Sequence, residues 1–180
     1  MQGLALLDTE AGDCTPGELA WYREFFERWC GSEPMAPLVA ELAPQLIGGT
    51  DPRQWRAWTS RWYSSDRQGI RAAAQCLMER RSVLDRLGEI TAPALVARGS
   101  YDGSSTAQKS DALAAGLSGA DGVVTIPGAG HAAAWTHPDV VAPLLIQLVR
   151  QATARPSGLT RALSAPWLEA RAARGIQAAR

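Results

Sequence analysis

Two strand-like stretches, each ending in a turn that carries one ionisable side chain, constrain this sequence more than any other feature. Residues 123–141, VVTIPGAGHAAAWTHPDVV, combine an apolar strand, a glycine-rich turn presenting His131, and a helix beginning at Pro138. Residues 94–105, ALVARGSYDGSS, have the same design and present Asp102. Because a tight turn after a strand holds its side chain at the sheet edge, we expect a histidine base with an orienting carboxylate.

The rest of the chain predicts an α/β architecture. Residues 3–7, GLALL, form a continuous apolar run that is typical of a strand covered on both faces. Helical patterns fill residues 15–87, and the segment TPGE at 15–18 offers an N-cap, a first-turn proline and a capping-box glutamate. Strands and helices then alternate, which favours a parallel sheet with right-handed crossovers.

Three polar residues beside these elements have predicted local roles. Ser105 is the expected N-cap of the helix that follows the Asp102 turn. His137 precedes a proline, and we expect it to cap the last helix rather than to take part in chemistry. Asp8 ends the first strand, where we expect a loop or capping carboxylate.

Tryptophan is concentrated in the helical block, since five of the seven tryptophans lie between residues 21 and 62. Trp55, Trp58 and Trp62 recur there at helical spacing. They pack a helical layer, line a substrate pocket, or do both on different helix faces, because pockets are lined mainly by apolar and aromatic groups. Together with Trp135 beside the histidine turn, these three are the candidate pocket residues.

Composition argues against several other classes of function. The chain has 18 Lys+Arg and 18 Asp+Glu, so no overall charge attracts nucleic acid or an acidic membrane. No apolar run is long enough to span a bilayer. Cys14, Cys30 and Cys76 lack the spacing of a disulfide framework or a zinc site, which favours buried reduced thiols. We therefore expect a cytoplasmic protein without a cofactor.

In order and spacing, these segments resemble the C-terminal part of an α/β-hydrolase. GLALLDT looks like the sixth strand of that fold, the helical block like the cap inserted after it, and ITAPALVARGSYDG like the seventh strand with its acid. VVTIPGAGHAAAWTHPDVVAPLLIQLV looks like the eighth strand, the histidine loop and the final helix. The resemblance implies a partial α/β-hydrolase fold of about three parallel strands with flanking helices and an inserted helical cap.

The same resemblance implies a division of the chain and a reaction. Residues 1–14 and 88–152 would form the partial core, 15–87 the cap, and 153–180 an Ala/Arg-rich, loosely ordered tail. The chain would be a hydrolase of ester, lactone or similar acyl substrates, with Asp102 as the acid and His131 as the base of a Ser-His-Asp triad. Some members of the family place an alternative acid at the position that Asp8 matches, which gives Asp8 a second predicted role. In that chemistry the histidine takes a proton from a hydroxyl, and the carboxylate fixes its tautomer.

The nucleophile of such a triad is missing from the expected place. In the family a G-x-S-x-G elbow between a strand and a helix precedes the acid, whereas this sequence begins at the sixth strand. The near match GLSGA at 116–120 runs from a predicted helix into a predicted strand, which is the reverse of an elbow.

Three hypotheses follow. In the first, the chain is the acid/base portion of a hydrolase of a small apolar ester or lactone, and the serine comes from a complementing N-terminal half. In the second, it is a catalytically inactive truncated remnant, or a ligand-binding or interaction module that keeps the apolar cap. In the third, the open edge of the first strand pairs with a second copy, since unpaired edges are sticky.

Overall fold

A three-stranded parallel sheet carries the two predicted turns. The computed structural model describes residues 2–48 and 52–154. Strands β1 (Leu4–Leu7), β2 (Ala94–Gly99) and β3 (Ala120–Ile126) are ordered β1-β2-β3. Both pairs are parallel. The predicted partial α/β fold is confirmed, and β1 forms one edge of the described sheet.

Helices fill the connections between the strands. Four α-helices and one 3-10 helix lie between β1 and β2 in the described residues: α1 (Pro16–Cys30), α2 (Met35–Leu46), α3 (Pro52–Ser64), α4 (Arg71–Glu79) and the 3-10 helix Leu84–Glu89. Helix α5 (Ala107–Gly116) joins β2 to β3, and α6 (Ala133–Thr136) and α7 (Pro138–Thr153) follow β3.

The capping box predicted at the start of α1 is present. Thr15 accepts a hydrogen bond from the Glu18 backbone N–H, and the Glu18 carboxylate accepts one from the Thr15 N–H at 2.8 Å. These two contacts satisfy backbone donors that the first turn of a helix leaves without partners. The first helix of the block therefore begins where its sequence predicts.

The predicted cap of α5 is wrong by one residue. Thr106, not Ser105, is the N-cap, and its side chain accepts a hydrogen bond from the Lys109 N–H. The Ser105 N–H donates to Asp102 Oδ1 at 2.9 Å, and its carbonyl accepts from Arg98 Nε at 2.9 Å. Ser105 thus belongs to the turn at residues 100–105 that carries Asp102, here called the acid turn, and the helix begins after it.

Two further local predictions are corrected. His137 occupies the N-cap position of α7, but its side chain caps no backbone N–H; its Nδ1 lies 2.8 Å from Thr136 Oγ1 instead. All three cysteines are free thiols. Cys30 is buried as expected, whereas Cys14 is partly buried and Cys76 is exposed on α4. The prediction of buried thiols therefore holds only for Cys30.

Both faces of β2 are covered by apolar side chains. Val96 packs with Leu87 and Leu113 on one face, and Ala97 packs with Ile126 and Val141 on the other. Successive side chains of a strand point to opposite faces, so both layers of core are needed. The helical block has a separate apolar cluster of its own: Phe25, Trp29, Cys30 and Leu38.

The division into a core (1–14 and 88–152) and a cap (15–87) stays a prediction: the helical block has an apolar cluster of its own, but Leu87 packs against Val96 of the sheet. The two connections between these parts run side by side, because the Val83 N–H donates to the Ala11 carbonyl at 2.8 Å. The predicted tail lies outside the described residues from 155 onward. In the described part of the chain, no helix is long and apolar enough to cross a membrane.

A cluster of four charged side chains lies where the cap joins the sheet. Lys109, the only lysine in the sequence, lies 2.7 Å from Glu10 Oε2 and also binds the Glu18 carboxylate on α1. Arg80, at the end of α4, binds Glu10 and donates to the Gly12 carbonyl at 3.0 Å. The cluster therefore ties both connections of the cap to helix α5.

Candidate active site

Asp102 and His131 form a hydrogen-bonded pair at one edge of the sheet. Asp102 Oδ2 lies 3.0 Å from His131 Nδ1, although the residues are 29 positions apart. The two side chains meet because β2 and β3 are parallel neighbours, so the turns after their carboxyl ends lie side by side. The Asp102 side chain is 0% exposed and that of His131 27% exposed, so the carboxylate lies behind the imidazole.

The acid turn holds the Asp102 carboxylate in place. Its Oδ1 accepts the N–H groups of Ser104 and Ser105, at 2.8 and 2.9 Å. The Arg98 guanidinium bonds the Asp102 carbonyl from the inside of the turn, at 3.1 Å. Burial alone would raise the pKa of Asp102, but the hydrogen bonds from His131, Ser105 and Ser104 lower it below its ordinary value. A carboxylate only accepts hydrogen bonds, so the proton shared with the histidine lies on Nδ1.

The His131 ring is set up to exchange a proton at its other nitrogen. The hydrogen bond to Asp102 raises the pKa of His131 against the opposing effect of burial, and the charges of Asp102 and Asp8 raise it further. Since Nδ1 is bound to the carboxylate, Nε2 is the atom left to accept a proton from a hydroxyl. No side chain in the described ranges forms a hydrogen bond with that Nε2.

Glycine is required where the two turns touch. A Cβ on Gly99, the last residue of β2, would lie 2.3 Å from the Gly130 carbonyl oxygen. The Tyr101 N–H donates to the Ala129 carbonyl across the same contact, at 2.9 Å. The acid turn and the histidine turn therefore meet backbone to backbone, which explains the glycine at the end of β2.

Asp8 lies beside the pair without bonding to it. The residue is 8% exposed and has a positive φ of 49°. Its Oδ1 accepts the Gly99 N–H at 2.9 Å and its Oδ2 accepts the Ala133 N–H at 3.0 Å. Burial raises the pKa of Asp8, although these two hydrogen bonds act in the opposite direction. Of the two predicted roles, the structure supports the loop carboxylate, because Asp102 occupies the histidine nitrogen.

Two cavities meet at His131. The smaller, of about 380 Å³, lies at the carboxyl end of β1. The larger, of about 1020 Å³, is a groove between the cap and the acid turn. Aromatic side chains dominate the cap side of this groove: Trp21, Tyr22, Phe25, Phe26, Trp29 and Trp62. Its core side carries Tyr101, Gly103, Ser104 and His131.

The four predicted pocket tryptophans divide into two groups. Trp58 and Trp135 line the smaller cavity and Trp62 lines the groove, so each of the three lines a cavity that His131 also lines. Trp55 lines neither cavity; its Nε1 donates to the Gly48 carbonyl at 2.8 Å. Its contact is thus with the backbone of the helical block, and neither of the two cavities includes it.

The predicted pocket residues did not include the aromatic face of α1. Phe25 lies 5.7 Å from Trp29, Trp29 lies 6.0 Å from Trp62, and Trp62 lies 6.4 Å from Trp58, measured between ring centroids. These contacts form a continuous row of rings from α1 to the cavity beside the histidine. The recurrence of aromatic residues along α1 was the signal available in the sequence.

Within residues 2–48 and 52–154, neither a metal centre nor a serine elbow lies near the pair. No group of His, Cys, Asp and Glu in the described ranges has the arrangement to hold a metal ion. In GLSGA at 116–120, Ser118 lies between the end of α5 and the start of β3, and its Oγ donates to the Ile90 carbonyl at 3.3 Å. The motif runs from helix to strand, as predicted.

Solved structures resemble most of this chain. A thermophilic esterase from Thermogutta terrifontis superposes with a TM-score of 0.74 at 26% identity, covering 85% of this chain and 57% of the esterase. A hydrolase from Pseudomonas aeruginosa gives 0.66 at 22%, covering 81% and 54%. An enol-lactonase from Burkholderia xenovorans gives 0.68 at 20%, covering 82% and 55%. No protein-family model and no curated protein matches the sequence. The chain spans little more than half the length of these structures.

Proposed function

We propose that this chain supplies the acid and the base of a Ser-His-Asp hydrolase, and that a serine outside this chain supplies the nucleophile. The chain has the C-terminal portion of the α/β-hydrolase fold, which is the fold of the solved structures that it resembles. The observation that carries the proposal is the 3.0 Å contact between Asp102 Oδ2 and His131 Nδ1.

The chemistry follows from the two imidazole nitrogens. Asp102 holds Nδ1 protonated, so the neutral ring accepts the serine proton at Nε2 while the serine oxygen attacks the acyl carbon. The imidazolium is stabilised by the carboxylate, and it returns the proton to the leaving alkoxide. Water then repeats the sequence on the acyl-enzyme. The smaller cavity, beside β1 and His131, has the place and the size for the serine to enter.

The groove supports an uncharged, apolar substrate. In the described lining, Glu18 and Asp66 are the only carboxyl side chains, and neither lysine nor arginine is present to balance a substrate carboxylate. Rings of α1 and α3 offer flat apolar surface, which suits an aryl or alkyl chain. The resemblance to an esterase and an enol-lactonase supports an ester or a lactone as the reacting group.

The partner that completes the site is part of the proposal. β1 pairs only with β2 among the described strands, so its other edge is open to a further parallel strand from a nucleophile-bearing half. A second copy of this chain is the alternative occupant, and such a dimer would bring no elbow serine. We also propose a cytoplasmic location, because the three thiols are unpaired.

A second candidate function is ligand binding without turnover. The groove favours this candidate, because residues of this chain alone form it, whereas the proposed hydrolase needs a nucleophile from outside the chain. In this case the chain binds apolar molecules through the cap, and loss of His131 changes no activity.

The test uses the polypeptide encoded directly upstream of Met1, joined in frame to this chain. We expect a strand–G-x-S-x-G–helix segment there, and hydrolysis of 4-nitrophenyl butyrate by the joined protein. His131→Ala should lower kcat by about 10³-fold or more, while Tyr63→Phe, an exposed residue outside both cavities, should leave it unchanged. A reading frame without the elbow, or a rate indifferent to His131, would favour the binding function.

A further inference from the structure

Asp8 has two features that are energetically unfavourable, its burial and its backbone conformation. Its carboxylate is buried, and no lysine or arginine in residues 2–48 and 52–154 forms a salt bridge with it. A charged group buried without a counter-ion is unfavourable unless hydrogen bonds replace its water. The positive φ of 49° is a second cost for a residue with a Cβ.

The two acceptor contacts of Asp8 join the two turns of the acid/base pair. Gly99, whose N–H binds Oδ1, ends β2 three positions before Asp102. Ala133, whose N–H binds Oδ2, lies two positions after His131. Asp8 itself is fixed to β2, because its own N–H donates to the Ala97 carbonyl at 2.9 Å. One side chain therefore holds the start of the acid turn and the end of the histidine turn.

Only an acceptor with two oxygens satisfies both contacts. An asparagine at this position would present one oxygen and one NH₂ group, so one of the two backbone N–H groups would face a donor. A buried N–H without an acceptor is costly. The chemistry of the position therefore requires a carboxylate, whereas a merely space-filling role would not.

We propose that Asp8 is a positioning residue that sets the distance and angle between Asp102 and His131 by holding both turns through backbone hydrogen bonds. Its relevance to catalysis depends on the proposed function, but the hydrogen bonds and their effect on the pair do not. Asp8 acts on the histidine through the backbone and through its charge; the charges of Asp102 and Glu10 also act on His131, and the charge of Asp102 acts on Asp8.

The test is NMR of the full ¹⁵N-labelled chain between about pH 3 and 8, a range that brackets ordinary carboxyl and imidazole titrations. An amide proton that binds a carboxylate shifts when the carboxyl group titrates. We expect the amide protons of Gly99 and Ala133 to titrate together, with a common midpoint that differs from that of the His131 ring. This measurement needs no variant, so it decides the contacts even if a substitution prevents folding.

The variant Asp8→Asn tests the consequence for the pair. We expect the acidic titration of both amides to disappear, at least one of them to exchange with solvent about tenfold faster, and the pKa of His131 to fall. Asp121→Asn, which removes an exposed carboxylate on β3, is the matched control and should change none of these.

Two results would overturn the proposal: amides of Gly99 and Ala133 that follow only the histidine, or a folded Asp8→Asn variant with unchanged exchange and an unchanged His131 titration. Neither result depends on hydrolysis. If the pKa of His131 changes in Asp102→Asn but not in Asp8→Asn, this inference fails and the proposed acid/base role stands.

Discussion

The Asp102 carboxylate receives His131 Nδ1 on one oxygen, at 3.0 Å, and two backbone N–H groups on the other. This arrangement fixes the carboxylate before any substrate is present. It also makes the protonation of the histidine a property of the pair, because each member stabilises the charged form of the other.

We predict that His131 titrates above its ordinary pKa of 6.5 and that Asp102→Asn lowers it, because the hydrogen bond to the carboxylate is the largest cause of the raised value. The ring signals in a ¹H NMR titration measure this. The sequence has two histidines, so His137→Gln assigns the signals and serves as the control. A His131 titration that ignores Asp102→Asn would contradict the pair.

The same shift predicts the sign of a pH effect on stability. A group whose pKa is raised in the folded state adds stability that is complete below its unfolded pKa and is lost as the pH rises through the folded value. The urea midpoint should therefore fall as the pH rises from about 6 through the folded pKa of His131. Asp102→Asn should flatten this dependence, and an equal slope in both proteins would be the opposing result.

We predict that Gly99→Ala destabilises the protein by about 3 kcal/mol, at the upper end of overpacking costs, because its Cβ would lie 2.3 Å from a backbone carbonyl oxygen that cannot move aside freely. Gly103→Ala is the matched control in the same acid turn, since a Cβ there meets nothing within 4 Å. Its effect should stay within about 0.5 kcal/mol. Urea unfolding followed by circular dichroism compares the two; similar midpoints would contradict the close contact of the turns.

We predict that the groove binds a neutral aryl ester more tightly than the matching acid. The described lining holds two carboxylates, Glu18 and Asp66, and neither lysine nor arginine, so only a protonated His131 would offer a carboxylate ligand opposite charge. A ligand-observed NMR titration with methyl 4-phenylbutyrate and 4-phenylbutyrate, at a pH above the His131 transition, compares the two. We expect Kd values that differ by about tenfold, or about 1.4 kcal/mol.

Trp62→Ala should weaken binding of the neutral ester by about tenfold, because it removes the ring that joins the aromatic row of α1 to the cavity beside the histidine. Tyr63→Ala removes the neighbouring, exposed ring and should leave Kd unchanged. Equal affinities for Trp62→Ala and the parent chain would place the ligand elsewhere.

We predict that acid weakens the junction between the cap and the sheet. The pKa of Glu18 is lowered to about 2: burial would raise it, but the hydrogen bonds from Lys109 and Thr15 outweigh that effect. A lowered pKa adds stability above the unfolded value of 4.5 that is lost as the pH falls through about 2.

Glu18→Gln should therefore reduce the dependence of the unfolding midpoint on pH between those two values. Lys109→Met should reduce it as well, and Lys109→Arg should restore most of it, because the charge is retained. Thermal unfolding at several pH values measures the effect. A parent-like pH profile in Lys109→Met would show that the lysine does not hold the carboxylate.

The sequence was sufficient for the features that depend on neighbouring residues. An apolar run followed by glycine and one ionisable residue defines a strand and its turn locally, so Asp102 and His131 were found with their strands. The capping box of α1 also lies within four residues. The parallel order of the strands followed because helices of ordinary length connect them.

Features that depend on distant neighbours were beyond the sequence. Helical spacing places Trp55 and Trp58 on the same side of α3. The sequence does not show that Trp55 donates to the Gly48 carbonyl while Trp58 lines the smaller cavity. Ser105 and Thr106 are equally good caps in isolation, and the acid turn decides between them by binding the Ser105 N–H. The contacts of Asp8 link residues 91 and 125 positions away, so no local pattern reveals them.

The hydrogen bond between Val83 and Ala11 brings the start and the end of the helical block to the same point of the molecule. An insertion whose two ends touch can be lengthened, shortened or exchanged while the strands before and after it keep their positions. The block also has its own apolar cluster. Under the proposed function, substitutions on the groove side of α1 to α4 would change which ligands fit, while Asp102 and His131 stay on the turns that follow β2 and β3.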